Sequence, residues 1–519
     1  MHLTRRQFFP CFSLLAAERK PLTLDCASLE KFVDRLPIPP IAKSLGQRPV
    51  AGDRSTAAAL YRVPMNEIWT KVHRDLPPTR VWSYGDSWPG PTIETRSGDG
   101  VIIDWVNQLP SRHFLPIDHN ICGAEADKPE VRTVVHVHGS RAPAGSDGYP
   151  ENWYVPGRSA TSYYPNQQEA TTLWYHDHAM GITRLNAYAG LFGFYMVRDD
   201  FEDGLRLPGG KFEIPLILCD RSFTPAGQLF YPVSEKPGAP WVPEVFGDAI
   251  LANGKLFPFA EVEPRKYRLR LLNASNGRFC HVSLSSGQDL VQIGSDQGLL
   301  AAPAPRKRIA LAPGERADIV IDFGEARGGR IVLRDGPLDI LQFRVSSAKV
   351  ADHSDLPSRL RPVARIPESA AVNTRMLTLG ETDNMVAEPM VMLLNKTHWA
   401  MPVTEKPRLN SVEIWSFINL TEDSHPIHLH LVRFQILDRR KIDAFAYQTN
   451  GDLRYFGPAT PPEPGEGGWK DTVRTGSKQV TRIIVPFAGY TGRYVWHCHI
   501  AEHEDNEMMR PYEVLPADS

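Results

Sequence analysis

The sequence predicts an all-β protein built from β-sandwich domains, and three observations carry that expectation. Short runs rich in β-branched and aromatic residues recur along the chain. Prolines (45) outnumber glycines (39) and punctuate those runs. No long amphipathic helix stands out. At 519 residues the chain has room for roughly three or four domains.

Six runs are read as strands, in chain order. They are Val101 to Val106, Leu191 to Val197, Ile214 to Leu218, Tyr267 to Leu272, Ala317 to Phe323 and Val480 to Val485. Several alternate polar and apolar residues, as a strand with one buried face does. Turn signals separate them: Ala252-Asn253-Gly254, Gly324 to Gly329 and Asp335-Gly336-Pro337. A charged turn, Asp199 to Gly210, divides a first block (22–202) from a second (209–348). The polar, Pro-rich stretch Ser347 to Asn373 reads as a linker (349–372) before a third block (373–519). Two Pro-rich loops, Tyr231 to Pro243 and Pro458 to Gly468, read as lids or long crossovers.

Composition excludes several classes. Lys+Arg (58) and Asp+Glu (60) nearly balance, so no nucleic-acid partner is expected. No apolar run reaches the ~18 residues of a membrane span. The six cysteines are scattered without a CxxC pair, which is neither a disulfide scaffold nor a zinc ribbon, though it leaves room for a long-range disulfide. Five of them read as small buried hydrophobes; Cys498 stands apart.

The histidines are informative. Random placement of 17 His gives roughly half of one His-x-His pair. The chain has four: His136-Val137-His138, His176-Asp177-His178, His428-Leu429-His430 and His497-Cys498-His499. In a strand, residues i and i+2 share a face, so each pair presents two imidazoles side by side. Eight imidazoles exceed one mononuclear site, and an all-His cluster without carboxylates favours copper. Cys498, between His497 and His499, points the opposite way, so one strand serves two sites. His503 and Met508 complete a thiolate site, with Met509 as the alternative axial ligand. His425 joins them because Pro426 breaks the strand period. Cys, two His and a weak Met make a blue-copper electron-transfer site.

These residues resemble the four multicopper oxidase signatures: His136-Val137-His138-Gly139, Trp174-Tyr175-His176-Asp177-His178, His425-Pro426-Ile427-His428-Leu429-His430, and His497 to His503 with Met508. More narrowly, the chain is similar to the bacterial spore-coat laccase, or bilirubin-oxidase-like, subgroup. Leu29 to Asp34, His73 to Arg80 and Glu502-His503-Glu504-Asp505 carry that likeness, which spans almost everything from about residue 22. The resemblance implies three cupredoxin-like Greek-key domains, matching the three blocks, and four copper ions. His425, Cys498, His503 and Met508 would hold the type 1 copper. His136 and His428 would hold the type 2 copper, and His138, His176, His178, His430, His497 and His499 the type 3 pair. The cluster would sit between the first and third domains, with the second contributing spacing and part of the substrate pocket.

The implied activity is that of a laccase. Small reducing substrates give single electrons at type 1 through an exposed edge of His503 or His425. Cys498 passes them through its backbone to His497 and His499, and O2 is reduced to water. Asp147 and Glu504 match the family's proton-delivery carboxylates; the alternative for each is a turn cap or a solvated acid. Phenols, aromatic amines, bilirubin-like tetrapyrroles and metal ions remain open as donors, and a monomer is favoured.

Two features depart from the subgroup. Glu422 and Asp423, next to His425, would disfavour anionic substrates. The segment Leu333 to Phe343 is short and lacks a cysteine that many relatives have, which implies that their disulfide is absent and the pocket more open. Two other readings compete. An oxidase of cuprous ions would carry a Met-rich insert, and here only Met385, Met390 and Met392 cluster loosely. A copper-free structural cupredoxin protein would lack ligands, and none of the ten His nor the Cys is missing.

At the N-terminus, Arg5-Arg6 before Phe8-Phe9 resembles a twin-arginine export signal in residues 1–21, with Phe8 to Ala17 as its apolar region. That route carries folded, cofactor-loaded proteins out of the cytoplasm. Pro10 and the lack of a clean cleavage site count against it, and the alternative is an incidental Arg pair on a cytoplasmic protein; export is the expectation.

Overall fold

A computed structural model of the protein describes residues 23–382 and 390–517. The suspected signal and Met385 lie outside those residues. The fold is all-β, and all six sequence-read runs are strands, each within a residue or a few of its expected ends.

The sheets come in pairs along the chain. A five-stranded sheet and a four-stranded sheet lie within residues 47–198, an eight-stranded and a five-stranded sheet within 213–345, and a six-stranded and a four-stranded sheet within 373–514. The two four-stranded sheets matter most. One runs in the order Gly90–Arg96, Phe192–Arg198, Thr171–Asp177, Val135–His138; the other Thr472–Thr475, His425–Leu429, Gly492–Cys498, Met509–Val514. Each lays two His-bearing strands side by side.

The middle pair of sheets closes on its own aliphatic core, with Leu216, Leu269, Ile319 and Phe343 buried. The last pair closes on an aromatic core of Trp415, Phe417, Trp496 and Tyr512, which also takes in Val134, Ala179 and Ile182 from the first third. Burying one such large side chain is worth roughly 2–3 kcal/mol, so this shared core fixes the first third against the last.

Four short α-helices occur among the described residues: α1 (Thr183–Ala189), α2 (Asp200–Gly204), α3 (Ala444–Asn450) and α4 (Ala501–Asp505). The segment Asp199 to Gly210, expected as a charged turn, contains α2. Asp199 caps it by accepting from the Glu202 N–H. Glu202 then turns inward, where Arg268 and Arg270 pair with it. Here charge marked a buried network rather than a solvated loop.

The expected linker is a pinned strap. Asp352 binds Arg265 and Lys266, Arg361 binds Asp199, and the Leu360 N–H donates to the Ala301 carbonyl. The Pro-rich loop Tyr231 to Pro243 lies against α4: the Tyr231 hydroxyl and the Trp241 Nε1–H both donate to Glu502. In the second loop, Glu466 binds Arg439 and Arg474 while Gly465 packs on Gln292 of the middle third.

Candidate metal centre

The four His-x-His pairs converge. His136 opposes His176 across one antiparallel ladder, and His428 opposes His497 across the other. The two sheets meet face to face at these residues. The His136 and His430 rings stack at 3.6 Å between centroids, as do His138 and His428. Nitrogens gather at the seam: His430 Nε2 lies 3.3 Å from His497 Nε2 on its own side, while His178 Nε2 reaches across to 3.4 Å from His497 Nε2 and His138 Nδ1 to 3.2 Å from His499 Nε2.

Most of these imidazoles are held at Nδ1. His136 Nδ1 meets the Asp147 carbonyl (2.6 Å), His176 that of Asp177 (2.9 Å), His428 that of Asp471 (2.8 Å) and His497 that of Cys498 (3.0 Å); His430 Nδ1 meets Asp147 Oδ2 (2.8 Å). The buried Nε2 atoms of His136, His176 and His428 have no hydrogen-bond partner. Burial pushes these rings well below the ordinary histidine range, His176 to about 4. They are neutral, with inward lone pairs that a metal would satisfy. Nitrogen atoms of His136, His428 and His430, of His136, His138 and His176, and of His178, His430 and His497 gather closely enough to share an ion.

Cys498 ends the strand Gly492–Cys498 and faces away from the cluster. Its Sγ lies 3.6 Å from His425 Nδ1 and 3.8 Å from His503 Nδ1, which are 3.2 Å from each other. This trio also gathers closely enough for an ion. Met508 belongs to the same buried cluster as Cys498, and its carbonyl accepts from the Cys498 N–H; Met509 packs instead with Met180 and Trp399.

The strand His425–Leu429 corrects one expectation. It pairs regularly from His425 to His428 with Pro426 in register. No break is needed: three residues separate His425 from His428, so ordinary alternation puts them on opposite faces.

A second correction concerns electron entry. His425 and His503 are fully buried rather than edge-exposed. The Thr421 hydroxyl covers His425 Nε2 at 2.7 Å, and Glu381 Oε1 sits 3.4 Å from it. The acidic rim is also made differently. Glu422 is exposed and pairs with Lys478, leaving Asp423 as the rim carboxylate. Glu244 and Glu381, which sequence reasoning missed, join it. Burial and then Asp423 push both up to about 7. As lone acids distant in sequence they gave no spacing signal.

Asp147 and Glu504 are buried beside the cluster rather than solvated. Burial holds the Asp147 carboxyl well above the usual range. Glu504 lies 3.1 Å from His497 Nδ1 and 3.4 Å from His178 Nδ1. Next to it, Asp505 accepts from the N–H groups of Thr183 and Arg184 and from the Arg184 guanidinium, tying α4 to α1. Cys26, Cys122, Cys219 and Cys280 are free thiols.

Multicopper oxidase family models match residues 68–118 and 127–202, and residues 367–518. The chain is 46% identical to a laccase of Bacillus stratosphericus, covering 94% of this chain and all of that one. It is likewise 46% identical to a laccase of Bacillus subtilis, over 94% of this chain and 99% of the relative. A crystal structure of a laccase from Pediococcus acidilactici superposes with a TM-score of 0.75 at 26% identity, covering 94% of this chain and 95% of that one. With its all-β fold and gathered imidazoles, the chain belongs to the multicopper oxidase family, as a copper-dependent, laccase-like oxidoreductase that uses O2.

Proposed function

We propose that the protein couples one-electron oxidation of phenolic and aromatic-amine substrates to reduction of O2, using four copper ions. His425, Cys498, His503 and Met508 hold type 1; His136 and His428 hold type 2; His138, His176, His178, His430, His497 and His499 hold type 3. The observation that carries this reading is the strand Gly492–Cys498, whose end offers a thiolate to one pocket and flanking imidazoles to the other. Bound copper supplies the redox chemistry, one electron at a time at the thiolate and four in total for O2.

The side chains organise that chemistry. Cys498 is the covalent bridge, since the backbone that bears its sulfur also bears His497 and His499. Burial keeps water off the thiolate pocket. Asp147, on His430 Nδ1, and Glu504, against His497 and His178, hold protons beside the cluster for water formation. The loop carrying Trp241 and Glu244 packs against α4, which bears His503.

The rim favours a second class of donor. Glu244, Glu381 and Asp423 gather carboxyl oxygens on the His425 side of the pocket, with Glu381 beside His425 itself, and a reducing metal cation would draw off their protons and bind them. Hard carboxylates suit ferrous better than cuprous ion. Copper-loaded protein should show the blue thiolate band and take up O2 with dimethoxyphenol. Parallel runs with ferrous and cuprous ions rank the donors, and a loaded, folded protein without a blue band contradicts the proposal. We further propose a monomer that leaves the cytoplasm through residues 1–21. Export of a reporter fused to those residues should be lost with Arg5→Lys plus Arg6→Lys.

A further inference from the structure

One imidazole of the cluster is held the other way round. His138 meets its partners through Nε2, 3.0 Å from Asp471 Oδ1 and 3.1 Å from the Thr472 hydroxyl, and it turns Nδ1 toward His499. A carboxylate accepts, so Nε2 carries the proton and Nδ1 is the free lone pair.

Asp471 is itself held from the middle third, which supplies none of the proposed ligands. The Arg316 guanidinium grips both its oxygens (2.8 and 2.5 Å), and Gln297 Nε2 donates to Oδ2 (2.6 Å). Thr472 donates to Oδ1. Both oxygens are thus engaged, which makes Asp471 a poor ligand despite its closeness to His138 and His428. Its carbonyl meanwhile accepts from His428 Nδ1, so one residue orients two imidazoles that stack on each other.

The backbone is cut to fit this junction. Gly139, at φ +85°, follows the first His pair, and a Cβ there would lie 2.5 Å from Asp471 Oδ2 and 2.6 Å from Gln297 Nε2. Gly314, at φ +81° and two residues before Arg316, would drive a Cβ into the His499 ring at 2.7 Å.

We propose that Asp471, clamped by Arg316 and Gln297 of the middle third, is a positioning residue that makes His138 offer Nδ1 to the cluster copper. The middle third then sets ligand geometry as well as spacing the domains. Partners of this kind are worth roughly 10- to 100-fold in metal affinity. The inference rests on the copper reading above, which the wild-type blue band and type 2 EPR signal, recorded first, test separately.

The variants are Asp471→Leu, Asp471→Asn and Arg316→Lys, each copper-loaded and then titrated with a chelator while the blue band and the copper retained per chain are followed. Asp471→Leu should lose cluster copper at roughly 10- to 100-fold lower chelator concentration, read as copper retained per chain, with the blue band intact. Asp471→Asn keeps an acceptor for His138 and should recover part of the loss. Arg316→Lys keeps the charge but not the two-pronged grip, and it should shift the same chelator curve by less; it decides the matter if the Leu variant does not fold. Wild-type chelator curves in the variants would overturn the proposal, whatever their thermal stability. So would parallel loss of the blue band, which is what a merely structural Asp471 predicts.

Discussion

The thiolate pocket and the imidazole cluster share a strand, yet they are assembled on different scales. The pocket draws on His425, Cys498 and His503, all within the last third of the chain. The cluster joins His138 to His499 across 361 positions of sequence, and its supports reach into the middle third. The pocket is therefore a property of one sheet and the short helix α4 after it, whereas the cluster is a property of an interface. Perturbing the interface should injure the cluster first, and perturbing the rim should touch the pocket alone.

The largest effect is expected at the cluster's carboxylates. Glu504→Gln keeps the shape beside His497 and His178 but removes the carboxyl proposed to carry protons. Turnover with any donor should fall by roughly 10²- to 10⁴-fold, the usual worth of a general acid or base, while the blue band and copper content stay put. Stopped-flow reoxidation of the reduced enzyme is the measurement; unaltered reoxidation would assign Glu504 a structural part.

Next comes the tie between α1 and α4. Asp505→Leu leaves Arg184 buried without its partner, which costs about 3–5 kcal/mol. Denaturant unfolding reads the loss. If the interface argument holds, copper leaves the cluster before the blue band fades.

Acid probes the junction of the first and middle thirds, away from both sites. Arg268 and Arg270 oppose the effect of burial on Glu202 and hold its carboxyl at about 2, below its ordinary 4.5. A depressed carboxylate stabilises the fold fully above pH 4.5, and that contribution drains away as pH falls toward 2. The shift is worth about 3 kcal/mol. Glu202→Gln should flatten the decline of unfolding free energy over that window; an unchanged slope would place the acid sensitivity elsewhere.

The smallest effect belongs to the rim. A unit charge at contact distance in a solvated site is worth about 1 kcal/mol, so Glu381→Gln with Asp423→Asn should raise turnover of an anionic dye over a neutral phenol by roughly fivefold. A constant ratio would detach these carboxylates from substrate choice.

Legibility in the sequence follows the same division. The His-x-His pairs were readable because histidine is scarce and a strand repeats every two residues, so composition and period pointed to one face. Cys498 was readable by the same alternation. His425 does lie beside Cys498 and His503, but a proline was credited with what a three-residue offset does unaided. The strands were readable from alternation, but the burial of Glu202 was not, since its partners lie 66 and 68 positions away. Asp471, Glu244 and Glu381 were lost for a similar reason. Each is one acid among 60, and only the folded chain shows which neighbour it serves. The strap around Asp352 to Arg361 read as a linker because its anchors, Arg265, Lys266 and Asp199, belong to other segments.

The most direct test of one strand serving two separable sites is copper titration of Cys498→Ser followed by EPR. The account predicts complete loss of the blue band together with a retained type 2 signal and three coppers per chain, because the imidazole face does not need the sulfur. Loss of the type 2 signal along with the blue band, in a folded protein, would show that the two sites do not stand independently on that strand.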